Sequence, residues 1–334
     1  MQRGLSDRLD SVVPMRTIDW VDGAVEMLDQ TALPAEMRVL RATEVDELVA
    51  AIRSLAVRGA PALGVAGAFG VALAARQFAG NAAGLADAVH RLETARPTAV
   101  NLARGVRRAA ARLPAGPEAV LDEACSVRDE EIAASAAMAA RGADLMVALC
   151  GERVRLLTHC NTGGLAAVTG GTALGVVGEL HRRGALAGVI ASETRPLLQG
   201  ARLTAWELEQ WGVDFRVAVD SAGPFLMARG EVDAVILGAD RICANGDVIN
   251  KIGTYAHALG ARRAGLPFVV VAPESTVDTD TADGAAVEIE DRGSAEVTAY
   301  SAAVNPAFDV TPHDLVTAIV TDRRVIRLDR GERL

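Results

Sequence analysis

The sequence predicts an α/β protein in two parts: a mainly helical N-terminal domain carrying a small sheet, then a mostly parallel sheet with helices on both faces. Three observations carry this expectation. From Val154 onward, short apolar runs rich in β-branched residues alternate with helical spacings, as βα units do. Before Val154 the pattern is a few short strands followed by helices alone. A break in pattern at Cys150-Gly151-Glu152 separates the two and sets the domains at residues 1–150 and 151–334.

The 334 residues are 50% hydrophobic and 23% charged, ordinary values for a globular protein with room for sizeable cores. The net charge of -9 and the absence of a long Lys/Arg run argue against a nucleic-acid partner. A small anionic substrate stays open, because a few placed cations outweigh a mildly acidic surface. Cys125, Cys150, Cys160 and Cys243 show no CxxC spacing, which suits a reducing compartment. The opening MQRGLSDRLDSVV lacks the apolar core of a signal peptide, and the apolar run Ala60 to Ala75 falls short of a membrane span. A soluble, cytoplasmic protein with no membrane partner is therefore expected.

Taken in order, Met15 to Trp20, Ala24 to Leu28 and Met37 to Arg41 read as strands, with Asp22-Gly23 as a hairpin turn. Thr43 offers an N-cap for a helix through Val57, with Glu44, Asp46 and Glu47 in its first turns. Arg58-Gly59-Ala60-Pro61 precedes a helix to Ala75, with Pro61 in its first turn. Helix-start amides beside an arginine suit a phosphate, although spacing alone favours a plain interhelical turn. Gly64, Gly67 and Gly70 fall within that helix and read as close helix packing, not as a phosphate loop. Pro97 separates the next two helices, and an alanine-rich helix covers Pro117 to Leu149.

In the second part the expected strands are Val154 to Leu157, Leu186 to Ala191, Asp214 to Val219, Ala234 to Leu237 and Pro267 to Val271. The expected helices are Gly164 to Arg183, Gln199 to Trp211, Pro224 to Arg229 and Val248 to Ala264, and the tail adds a helix near Pro312 to Val320 and a last short strand. Three strand ends collect polar clusters: Thr158-His159-Cys160-Asn161-Thr162-Gly163, Ser192-Glu193-Thr194-Arg195-Pro196, and Gly238-Ala239-Asp240-Arg241. Ligands bind at the carboxyl ends of strands in such sheets. Asp240 is the first candidate for an acid or base. Lys251, beside Asn250 on the helical spacing after Asn245-Gly246, is the candidate for a phosphate contact.

Cys160 lies just before a helix start, where a thiol pKa can fall, although free cysteine is commonly a small buried hydrophobe. The five histidines form no metal spacing, so no metal site is expected. Neither a P-loop nor a strand followed by GxGxxG is present, so nucleotides and dinucleotides lack their usual fingerprints.

RGAPALG from Arg58, RPTAVN from Arg96, THCNTG from Thr158, GTALGV from Gly171, ETRPLLQGARLTAWEL from Glu193, GADRICANGDVINKIGTY from Gly238 and NPAFDVTP from Asn305 form an ordered set. The set resembles the methylthioribose-1-phosphate isomerase family. The resemblance implies a Rossmann-like second domain that holds no dinucleotide, no cofactor, a homodimer, and a sugar phosphate as substrate. It implies aldose-to-ketose isomerisation of 5-methylthioribose 1-phosphate in methionine salvage. Matched motif by motif, Arg58, Gly59, Ala60, Arg96, Gln199, Asn250 and Lys251 become substrate contacts. Asp240 becomes the proton donor and Cys160 the residue assisting the transition state.

The same fold family includes other pentose-phosphate isomerases and regulatory subunits of the translation-initiation guanine-nucleotide exchange factor, which leaves a sensing protein as the non-enzyme alternative. The chain departs from the family pattern at Ser192, where aspartate is common, at Gly170, where an aromatic is common, and at Ala139. These changes leave the acid and phosphate positions intact and open the question of the 5-substituent: a methylthio group, a methyl as in 5-deoxyribose 1-phosphate, or a hydroxyl; an isomerase of ribose 1,5-bisphosphate is the further enzyme alternative.

Overall fold

The computed structural model describes residues 16–97 and 99–334. Met15 of the first expected strand, the opening segment, and Thr98 of the RPTAVN motif lie outside the described residues. The chain divides into two compact units. One runs through Ala133 and includes Gly164–Gly171; the other comprises Ala134–Gly163 and Thr172–Leu334.

The first unit opens with an antiparallel sheet of β1 (Ile18–Val21), β2 (Ala24–Leu28) and β3 (Val39–Ala42) in that order. Asp22 and Gly23 both have positive φ, 47° and 82°, the geometry that a two-residue hairpin needs to match strand twist. Helix α1 (Val45–Arg53) starts at Glu44, not Thr43. Glu44 and Glu47 form a reciprocal capping box there, and Thr43 donates to the Glu47 carboxylate.

Helix α2 (Ala60–Gln77) is buried on every side from Pro61 to Ala75, which explains why its apolar residues show no one-sided periodicity. It forms the axis of the unit. Helices α3 (Ala82–Glu93) and α4 (Val100–Ala110) pack on it where glycine removes a side chain. A Cβ at Gly67 would lie 2.8 Å from the Leu102 carbonyl oxygen, and one at Gly70 2.6 Å from Leu92 Cδ2. Helix α5 (Pro117–Cys150) is long and apolar enough to cross a membrane by length and composition. Its apolar residues serve cores instead: Val120, Ala124 and Val127 in the first unit, Met138, Ala143 and Met146 in the second.

The second unit contains β4 (Val154–Thr158), α6 (Ala173–Arg182), β5 (Leu186–Ser192), α7 (Ala205–Gln210), β6 (Phe215–Ala218), α8 (Ala222–Ala228) and β7 (Ala234–Leu237). It continues with β8 (Arg241–Cys243), β9 (Val248–Lys251), α9 (Thr254–Ala264), β10 (Phe268–Val271), β11 (Val277–Asp278), β12 (Phe308–Thr311), β13 (Ala318–Val320) and β14 (Val325–Ile326). The main sheet has the order β14-β13-β10-β7-β4-β5-β6, parallel throughout except for β14.

Alternate residues of its strands feed two cores. Leu156, Ala234, Ile236, Val269 and Val271 pack with Leu174 and Val177 of α6, while Leu157, Val235, Leu237, Phe268 and Val270 pack with Met227 of α8 and Ala258 of α9. The sheet is therefore apolar on both faces, and its inner strands read as unbroken apolar runs.

Three expectations need correction. Val248 to Ala264 is not one helix: Val248–Lys251 is strand β9, paired with β8 and β12 in a second, four-stranded sheet of order β11-β8-β9-β12. Asn250 and Lys251 therefore lie on a strand, and Gly253, at φ 105°, makes the turn into α9. Gly164 to Arg183 begins as a single short turn, and its helix starts only at Ala173, because Gly164–Gly171 packs in the first unit. Pro312 to Val320 is a short turn followed by β13.

Candidate active site

In the first unit the predicted contacts sit at helix starts. Gly59 has φ 93°, and a Cβ there would lie 2.3 Å from the Ala166 carbonyl oxygen, so the turn Arg58-Gly59-Ala60 accepts only glycine at its centre. Gly64, one turn into α2, faces Asn101 in the first turn of α4, 3.3 Å from its Cβ position to the Asn101 carbonyl oxygen. The starts of α2 and α4 are thus neighbours. Half-buried Arg58 and Arg96 belong to the turns that lead into them. A helix start with a guanidinium group beside it suits an anion in general.

In the second unit the site residues gather at the carboxyl ends of the parallel strands. Strand β4 has β5 on one side and β7 on the other, so the order of strand addition reverses between β4 and β7. A crevice opens at such a switch point. Cys160 follows β4 and Asp240 follows β7. The two strand ends are packed together: a Cβ at Gly238 would meet Thr162 Cγ2 at 2.7 Å.

Cys160 is 8% exposed and has φ 62°, a left-handed conformation that is uncommon without glycine. Two threonines hold it. Its N–H donates to Thr194 Oγ1 at 2.8 Å, and Thr204 Oγ1 donates to its carbonyl at 2.6 Å. Gln199, from the loop that carries Thr194, is 6% exposed, and its buried Oε1 has no hydrogen-bond partner among the described residues. An unsatisfied buried amide oxygen suits a ligand hydroxyl. Gly200 is obligatory beside it, since a Cβ there would fall 1.7 Å from the Ser192 carbonyl oxygen.

Asp240 is exposed, and its N–H donates to the Ile249 carbonyl at 2.9 Å, which ties it to strand β9. The dry setting expected for a protonated acid is therefore not supplied by its immediate surroundings. On β9, buried Asn250 donates from Nδ2 to Thr254 Oγ1 at 2.9 Å. Lys251 Nζ donates to the Ala307 carbonyl at 2.8 Å and stands 4.5 Å from the centre of the Phe308 ring.

Asp309, opposite Asn250 across the β9–β12 ladder, accepts from Gly253 N–H at 2.7 Å and from Tyr255 N–H at 3.1 Å. Burial pushes its carboxyl up to about 6 against those hydrogen bonds and the Lys251 charge. Asp309 thereby takes the start of α9.

Beneath these loops lie two buried histidines. His159 Nε2 donates to the Ile252 carbonyl at 2.8 Å, which leaves Nδ1 to accept from His257 Nε2 at 3.3 Å. That arrangement requires the His159 ring to be neutral. Burial lowers the pKa of His159 and takes His257 down to about 3. Among the described residues no three His, Cys, Asp or Glu side chains cluster to hold a metal ion.

Sequence reasoning quoted Thr194 and Asp309 within motifs without giving them a role, and did not single out Asp220. Asp220 follows β6, a strand end without the density of polar residues seen at the other three. Its signal is partnership: it accepts from Ser192 Oγ, from Thr194 N–H at 2.8 Å and from Arg195 N–H at 2.7 Å. Burial would raise its pKa, but these hydrogen bonds outweigh burial and hold the carboxyl below its usual range.

The sequence profile of the Initiation factor 2 subunit family matches residues 56–327. The chain is 51% identical over 325 residues to the methylthioribose-1-phosphate isomerase of Anaeromyxobacter sp. (strain Fw109-5), covering 94% of this chain and 95% of that protein. It is 46% identical over 336 residues to the 5-deoxyribose 1-phosphate isomerase of Moorella thermoacetica, with 94% and 95% covered. Its fold superposes on the crystal structure of 5-methylthioribose 1-phosphate isomerase from Pyrococcus horikoshii OT3 with a TM-score of 0.88 at 39% identity, covering 96% and 94% of the two chains. The described strands, the switch point and these likenesses agree, and the chain belongs to the methylthioribose-1-phosphate isomerase branch of the Initiation factor 2 subunit family.

Proposed function

We propose that this chain is an aldose–ketose isomerase that converts 5-methylthioribose 1-phosphate to 5-methylthioribulose 1-phosphate. The observation that carries the reading is the placement of Cys160 and Asp240 after β4 and β7, the two strands flanking the switch point. In this reading Arg58, Arg96 and Lys251 serve as phosphate contacts and Gly59 and Ala60 as backbone contacts, the roles that the family motifs imply for them. Gln199 and Asn250 hold sugar hydroxyls.

A sugar phosphorylated at C1 cannot open its ring as a free sugar does. Asp240 protonates the ring oxygen, whose bond to C1 breaks and leaves a cation at C1 stabilised by the phosphate-bearing oxygen. The C2 hydrogen then reaches C1 by one of two routes. It is removed as a proton by Cys160 or Asp240, giving an enediol that is reprotonated at C1, or it shifts as a hydride. In either route the C2 hydroxyl loses its proton and becomes the ketone. Asp240 is exposed, and a substrate seated over it would supply the water-poor setting that keeps it protonated.

The 5-substituent is the finer question. The Moorella relative supports 5-deoxyribose 1-phosphate as the second reading. The test compares kcat/KM for 5-methylthioribose 1-phosphate, 5-deoxyribose 1-phosphate and ribose 1,5-bisphosphate on purified protein. Preference for the methylthio sugar supports the salvage role. Preference for another keeps the chemistry and changes the pathway, and turnover of none of them by folded protein overturns the enzyme reading in favour of a sensing role. Size-exclusion chromatography with light scattering tests the homodimer that the family leads us to propose.

A further inference from the structure

Three residues other than glycine in the second unit adopt a left-handed backbone close to one another in the fold: Cys160 at φ 62°, Thr194 at 67° and Leu198 at 57°. Such conformations persist where the surroundings over-determine them, and they gather at functional sites. Thr194 is wholly buried and serves both neighbours: its hydroxyl accepts the Cys160 N–H, and its own N–H is held by a carboxylate. That carboxylate is Asp220, whose three donors, Ser192 Oγ, Thr194 N–H and Arg195 N–H, all come from the strand end after β5. The Thr194 hydroxyl also donates to the Ser192 carbonyl at 3.0 Å, which fixes its rotamer so that its lone pairs face Cys160.

We propose that Asp220 is a positioning residue for Cys160, acting through Thr194 to hold the cysteine backbone in its left-handed conformation. The chain of contacts is short and directional. Asp220 locks the Ser192–Arg195 turn, the turn places Thr194 Oγ1, and Thr194 Oγ1 takes the Cys160 amide. With an amide in place of the carboxylate, Arg195 N–H loses its acceptor and one oxygen is left for both the Ser192 hydroxyl and the Thr194 N–H, so the turn relaxes. The Cys160 amide then loses its own acceptor, and the residue leaves the strained conformation. The proposal rests on the reading of Cys160 as part of the isomerase site, and it adds a residue that never touches the substrate.

The test uses Asp220→Asn, Thr194→Val and Thr194→Ser in the full chain, with two readouts. The first is steady-state isomerase kinetics. Asp220→Asn and Thr194→Val should lower kcat by about tenfold to a hundredfold, the range for a misplaced catalytic group, with KM unchanged. Thr194→Ser keeps the hydroxyl and should retain kcat. The second readout is the rate of Cys160 alkylation by iodoacetamide, followed by peptide mass mapping to separate it from Cys125, Cys150 and Cys243. That rate should rise in the first two variants, because the cysteine leaves its closed setting, and should match the wild type in Thr194→Ser.

If kcat falls while alkylation of Cys160 stays at the wild-type rate, Asp220 acts by another route and the proposal is overturned. Wild-type behaviour of Thr194→Val in both readouts overturns it as well. Should Asp220→Asn fail to fold, Thr194→Val decides alone. Should the wild type turn over no sugar phosphate, the functional reading fails, and the alkylation arm still decides whether Asp220 and Thr194 position Cys160.

Discussion

Asp240 donates its backbone N–H to the carbonyl of Ile249 at 2.9 Å, so the candidate acid is tied to the residue immediately before Asn250 and Lys251. That bond holds the Asp240 backbone against strand β9, which carries Asn250 and Lys251. This geometry separates binding from proton transfer in a way that substitutions can read.

Asp240→Asn removes the proton and keeps the shape and the backbone bond to Ile249. The expected outcome is a loss in kcat of about 100- to 10,000-fold, the usual worth of a positioned acid, with little change in affinity for the sugar phosphate. Stopped assays and isothermal titration with substrate check it. Near-normal kcat would remove Asp240 from the role.

Lys251→Met removes the ammonium and keeps an unbranched side chain against the Phe308 ring. A charge-assisted hydrogen bond contributes about 1.5–3 kcal/mol, so KM should rise roughly 10- to 100-fold, with a smaller effect on kcat. Titration with inorganic phosphate as a competitor should show the same weakening. Equal inhibition of variant and wild type by phosphate would place the anion elsewhere.

The histidine pair gives a pH dependence with a defined sign. An unfolded-chain histidine titrates near 6.5, whereas His257 in the fold titrates near 3 and His159 is also lowered by burial. Between those values the unfolded chain binds protons that the native state refuses, so stability is full above about pH 6.5 and falls as the pH drops below it. Asp309 works in the opposite direction between its unfolded value and about 6, because its buried carboxyl favours the neutral form. Two histidines against one carboxyl leave a net loss on acidification. Urea midpoints measured from pH 7.5 to 5 should fall, and His257→Gln should flatten the slope. An unchanged slope in that variant would mean the pair does not drive it.

Gly170→Tyr tests the 5-substituent. Gly170 has φ 59° and no atom lies within 4 Å of a Cβ built there, so a side chain has room while the backbone pays about 1–2 kcal/mol for the left-handed conformation. The expected outcome is folded protein of slightly lower Tm whose kcat/KM ratio between the methylthio and 5-deoxy sugars shifts by about tenfold, the scale of a few methylene contacts. An unchanged ratio would show that Gly170 does not border the variable end.

Much of this protein was legible from local pattern. Ala234–Leu237 is a run of buried apolar residues closed by Gly238, and the strand has those bounds because every side chain in it meets one of two cores. The Asp22-Gly23 hairpin and the Pro61 helix start were equally plain, since φ preferences act within two residues. The ordered motifs identified the family and named Cys160 and Asp240, which the fold sets beside its switch point.

What only the tertiary structure decided depends on partners far along the chain. Asn250 and Lys251 keep a spacing compatible with helix, but Asp309 and Phe308 pair with them across the β9–β12 ladder and make them a strand. Gly164–Gly171 reads as the start of α6 until its packing against Gly59 and Thr17 draws it into the first unit. Asp220 carries no local signal in the sequence, and its three donors lie 25 to 28 positions away. The physical reason is the same in each case. Local φ and hydrophobic period choose among conformations that differ by fractions of a kcal/mol per residue, and ladder hydrogen bonds and burial supplied by distant residues outweigh that difference.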